Sequence, residues 1–144
     1  MNLRLDKVIR NTGFSVRKVY SLVLSHEALY IIHTGSIGAL KHYHFDTATQ
    51  RVVADASNDR SVAEIQSNET QIDLTLLDQL VGGNNYRVHL VAIEDVSVRS
   101  GQLPEMIVKV TGSDHRLIFP FTPIDQVLTL RAALLRQDDQ VASR

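Results

Sequence analysis

Residues 16–45, VRKVYSLVLSHEALYIIHTGSIGALKHYHF, decide the fold. From Val16 to Leu24 the chain is β-branched and aromatic. Val19, Ser21 and Val23 share one face of such a strand, and Tyr20, Leu22 and Leu24 the other. Ser25-His26-Glu27 is a polar break, and Ala28 to His33 is a second apolar run. Two runs across so short a break predict an antiparallel hairpin. The remainder of the stretch holds Gly35, Gly38, Lys41 and the histidines His33, His42 and His44. It is a phosphate loop, a metal site or a strand connection.

A phosphate loop needs Gly-x-x-x-x-Gly-Lys-Ser/Thr opening a helix whose free amides face the anion. Here Lys41 stands too far beyond Gly38, no Ser or Thr follows it, and His42-Tyr-His-Phe is a poor helix start. The glycines therefore read as part of a strand connection leading to a third strand. His42 and His44 lie two apart, so a strand places both imidazoles on one face. They are the candidate metal ligands, but zinc wants at least a third. His26, His33 or an acid from the following segment could supply it. The plainer reading is a half-exposed strand surface.

Asp46 to Thr70 is polar, with an incomplete helical stripe at Val52, Val53, Ala56, Val62, Ala63 and Ile65 and a break at Ser57-Asn58-Asp59. Asp73 to Gly83 predicts a short helix, capped by Asp73 and ended by a left-handed Gly82. Beyond Asn85 the period returns to two. Strands are expected over Tyr86–Val91, Val96–Val98, Glu105–Thr111 and His115–Phe121, with turns between them. Leu117, Phe119 and Phe121 share a face, and Pro120 places a strand end or an edge there. Thr122-Pro-Ile-Asp125 opens a final helix running to about Arg136. Ile124, Val127, Leu128, Leu134 and Leu135 form its apolar side, with Leu130 at the margin. Arg131 points into the middle of that stripe. Its stem covers the core while the guanidinium reaches water, or it meets a partner carboxylate at a sheet mouth or an oligomer contact.

Composition narrows the function. The chain has 144 residues and suits one domain, 1–144, with a single core. It has no cysteine, which removes disulfides, cysteine nucleophiles and cysteine-ligated zinc. A net charge of −1 argues against nucleic acid. No apolar run approaches a membrane helix and no signal peptide is visible, so a cytoplasmic location is expected. Residues 1–20 are locally basic, with Arg4, Lys7, Arg10, Arg17 and Lys18 against Asp6. No Gly-x-Ser-x-Gly motif or carboxylate pair points to catalysis, and nothing calls for a cofactor.

The order of elements is hairpin, helical insert at about 46–82, further antiparallel strands, then one amphipathic helix. That is α+β. The Tyr20–Leu24 and Ala28–Ile32 hairpin, the stretch Val88–Val98, and His115–Phe121 running into the helix from Pro123 to Arg136 resemble the small bacterial proteins of pleckstrin-homology-like (PH-like) type. The resemblance covers residues 16–45 and 86–137, and residues 46–85 depart from a minimal domain of that type. It implies a curved antiparallel sheet, a partly open barrel with a C-terminal capping helix, that binds phosphoinositides or proteins or assembles with itself. Lipid-binding members carry basic residues at the first strand-strand turn. Taken as Ser25-His26-Glu27, that turn has none.

The resulting expectation is a non-enzymatic protein-interaction or self-assembly module, with Arg17, Lys18 and Arg131 as contact residues. Two alternatives stand beside it. One is peripheral membrane binding through the basic N-terminal segment, and the other is a metal-dependent enzyme using His42 and His44.

Overall fold

The computed structural model describes residues 3–10, 17–37, 43–56, 74–83 and 85–142. The strands are β1 (Leu3–Arg10), β2 (Arg17–Leu24), β3 (Ala28–Ile37), β4 (Tyr43–Phe45), β5 (Tyr86–His89), β6 (Ile93–Arg99), β7 (Glu105–Val110) and β8 (Ser113–Ile118). The helices are α1 (Thr47–Ala56), α2 (Leu74–Leu80) and α3 (Ile124–Ala142). The architecture is α+β, as the sequence predicts. One antiparallel sheet runs in the order β4-β3-β2-β1-β8-β7-β6, with β5 pairing β3 beside β4. The sheet is open. Only the short 3-10 turn Leu90–Ala92 separates β5 at one edge from β6 at the other. So short a link requires the sheet to curl until its edges face each other.

The inner face of that curl holds the main core. Leu5, Tyr20, Leu22, Ile31, Val96, Met106, Leu117 and Phe119 meet Val127, Leu130 and Leu134 of α3 there. The helix therefore plugs the open sheet, as expected, but on a stripe rotated from the predicted one. Leu130 is central rather than marginal, while Ile124 and Leu128 are 37% and 48% exposed. Phe121, expected inside with Leu117 and Phe119, is 57% exposed and lies under the Lys7 ammonium. β8 stops at Ile118, close to Pro120.

Strand β1 was not expected. Its residues LRLDKVIR lack a period of two because the strand is bulged. Leu5 and Val8 both enter the core, three residues apart, and the register shifts between them. Lys7 takes the extra position at φ 57°, a left-handed conformation rare for a side-chain-bearing residue. An alternation test misses such a strand.

The insert packs on the sheet. Val53 of α1 and Leu77 of α2 join Val23, Ala28, Tyr30 and Ile32 in a second buried cluster on the outer face. This explains the unbroken apolar run Ala28–Ile32, since a strand covered on both faces has no polar side. Asp46 caps α1, its carboxylate accepting from the Thr49 amide at 3.2 Å and the Thr49 hydroxyl at 2.8 Å. The expected helix break at 57–59 and the cap at Asp73 lie outside the described residues.

The outer edge of β3 is satisfied along its length. Residues 28–31 pair β5, and 35–37 pair β4. Between them the His33 amide donates to Asn85 Oδ1 at 2.6 Å, and the Thr34 carbonyl accepts from the Asp46 amide at 2.8 Å. Gly35 permits β4 to approach, because a Cβ there would run into the His44 carbonyl oxygen and the Phe45 ring. The opening stretch is thus a strand with a glycine at a close crossing. Replacing Gly35 with Ala should lower stability by about 1–3 kcal/mol, the usual cost of forcing atoms into a packed site. Urea denaturation measures it, and an unchanged midpoint would refute the close-approach role.

Candidate functional site

Among the described residues polar side chains gather at several places, and three of them involve β3, the end of β1 and the edge of β6. The first ties the insert to the sheet. The Tyr30 hydroxyl donates to Asp78 Oδ1 at 2.8 Å, and Arg87 Nη1 donates to the same oxygen at 2.7 Å. β3, α2 and β5 are joined at one carboxylate. The Tyr30 and Arg87 donors hold the Asp78 carboxyl below its usual range. Burial, then the Asp78 contact, pushes the Tyr30 phenol up to about 12. A phenol pKa raised by folding contributes stability that is complete below its unfolded value, about 10. That contribution fades as pH rises through about 12. Tyr30→Phe should therefore be less stable than wild type at neutral pH by about 1–3 kcal/mol, and the gap should narrow above pH 10. Denaturation at stepped alkaline pH checks this. A gap that widens there would contradict it.

The second place is the interior near the ends of β1 and β5. The Arg10 guanidinium lies over the Tyr86 ring, 4.3 Å from its centroid. The His115 ring meets Tyr86 edge-on at 5.2 Å, and the His33 ring meets Tyr20 edge-on at 5.5 Å. His115 is 5% exposed, and burial followed by the Arg10 charge holds its pKa below the ordinary imidazole value. Burial also raises the Tyr20 phenol and lowers His33. Periodicity gives no hint of this group, because its members come from five strands far apart in sequence.

The third place is the free edge of β6. Arg131 Nε donates to the Val96 carbonyl at 2.9 Å. That carbonyl is directed away from β7, toward the open side. By the period of two, Val98 also directs its backbone groups outward. The groove between β6 and α3 holds about 340 Å³ and is lined by Asp95, Val96, Ser97, Val98, Leu128 and Arg131. Arg131 thus does not simply reach water, and among the described residues it meets no carboxylate. It covers one acceptor of an edge strand. Arg131→Leu should cost about 1–2 kcal/mol, the range for one lost hydrogen bond to a charged donor at a partly exposed site. A thermal melt with a loss of about 3–5 kcal/mol would instead indicate a buried charge pair.

The other sequence candidates are dispersed. His44 is exposed on β4, and His42 lies outside the described residues. Among the described residues no group of three His, Asp or Glu side chains could hold a metal. Arg17 is exposed at the start of β2, and Lys18 pairs in register with Arg10. Because β1 precedes β2, the first strand-strand connection is residues 11–16, not Ser25-His26-Glu27. Ser25-His26-Glu27 is instead the turn between β2 and β3. Among the described residues no helix is long and apolar enough to cross a membrane.

No protein-family model, curated protein or solved structure matches the chain.

Proposed function

We propose that the protein is a non-enzymatic interaction module of PH-like type that associates with a second copy of itself through the β6 edge. The observation that carries this reading is that the outward side of β6 is unpaired among the described residues, beside surplus apolar surface. Edge strands offer backbone donors and acceptors that another strand can pair with. Ile124 and Leu128 stand exposed one turn apart on α3, and Leu128 lines the groove next to Val98. Two β6 strands running antiparallel across a twofold would continue the sheet, with each Leu128 covering its counterpart. The expected element order, with a plugging helix over an open antiparallel sheet, supports the PH-like assignment.

Light scattering after size exclusion should show a dimer whose population rises with concentration. Leu128→Asp and Val98→Pro, the second removing an edge amide, should shift it to monomer. A wild-type chain that stays monomeric at the highest soluble concentration overturns the self-pairing.

A second reading has its own observation. Arg10, Arg17 and Lys18 flank the first strand-strand connection, the place where lipid-binding PH-like members carry basic residues. Vesicles containing anionic lipid should float the protein at low salt and release it as salt rises. Arg17→Glu with Lys18→Glu should abolish flotation, and no flotation of wild type at low salt ends this reading.

A further inference from the structure

Between β5 and the tip of the β7–β8 hairpin the curled sheet leaves a cavity of about 470 Å³. Val81, Val88, Ala92 and Val110 supply apolar wall, while Tyr86 and His115 are among its polar groups. Among the described residues no Asp or Glu lines it. Pockets of this volume with a few convergent polar groups hold small molecules.

Two buried atoms lie close to the cavity, one on His115, which lines it, and one on Arg10, which does not line it but lies over the ring of the lining residue Tyr86. His115 Nδ1 is sealed from water and has no hydrogen-bond partner, and Arg10 Nη1 is in the same condition. Both groups lie against one ring, that of Tyr86. Arg10 forms no ion pair with any described residue. Asp78 takes Arg87, Glu94 accepts from the Thr111 hydroxyl at 2.8 Å, and Asp114, the carboxylate whose charge acts on His115, is exposed. A guanidinium nitrogen sealed from water without a partner is costly, and an orphaned imidazole nitrogen adds to that cost. A ligand oxygen carrying negative charge relieves both. A neutral imidazole with its proton on Nδ1 donates to one oxygen, and Arg10 donates to the other.

We propose that this cavity binds a small organic monocarboxylate, its carboxylate taken by Arg10 and His115 and its apolar body lying along Val88, Ala92 and Val110. A single charge fits best, because Arg87, the arginine that does line the cavity, is already held by Asp78. Both orphaned atoms are sealed, so the carboxylate reaches them by turning the half-buried Tyr86 ring. The proposal does not depend on pairing at β6.

Hexanoate and its neutral counterpart hexanamide test it on the wild-type protein by titration in two-dimensional amide NMR. Hexanoate should move the amide signals of Val88, Ala92, Val110 and His115 and saturate them, binding about tenfold or more tighter than hexanamide. Arg10→Gln should remove that preference while leaving hexanamide affinity unchanged. Equal affinity for the two compounds, shifts centred elsewhere, or no saturable hexanoate binding overturns the proposal. The wild-type comparison decides even where Arg10→Gln does not fold.

Discussion

The structure depends on β3 being buried on both faces while its outer edge is fully bonded. Leu29 and Ile31 face the inner core, and Ala28, Tyr30 and Ile32 face the insert. A strand in that position has no solvated side, so its sequence is continuously apolar. It also cannot leave an amide or carbonyl unpaired, since buried backbone groups are costly without partners. The chain meets this by dividing one strand's edge between β5, the Asn85 side chain, Asp46 and β4. The insert's ends are therefore part of the sheet's hydrogen bonding.

The same division locates the chemistry. β5 returns to β3 and then passes at once to β6, which brings opposite edges of the sheet together without joining them. The unclosed seam holds the cavity with Arg10, Tyr86 and His115 beside it. Along the same seam, β6 keeps an edge unpaired among the described residues that α3 covers only in part, with Arg131 taking one carbonyl. Helix rotation matters here. Placing Leu130 inward turns Ile124 and Leu128 outward, which makes apolar surface available beside that edge.

Much of the fold is legible in the sequence, because long-period signals are local. The β2–β3 hairpin, the strands from Tyr86 onward, the two insert helices and the terminal helix follow from periodicity, turn residues and caps, although β5 ends at His89, β6 begins at Ile93 ahead of the expected Val96, and α3 runs past Arg136 to Ala142. The misses have physical causes. β1 is invisible to an alternation test because its bulge puts Leu5 and Val8 on one face at a spacing of three. The face of α3 was misjudged because apolar residues occur on more than one side of it, and only packing selects among them. The Arg10, Tyr86 and His115 grouping could not be read because it comes from strands that pair at long range. One signal was available: an arginine within an apolar strand segment, Val8-Ile9-Arg10, is an unusual inward charge.

The outer cluster of Val23, Ala28, Tyr30, Ile32, Val53 and Leu77 has a consequence for the life of the chain during synthesis and stress. Residues 28–32 leave the ribosome before either helix that shields them, and β5 follows later still. Until α2 docks, an oily ribbon on the convex side of β2 and β3 is open to other nascent chains. The insert thus acts toward its own host strands as a chaperone would, and its local unfolding would expose a sticky surface while the inner core remains assembled.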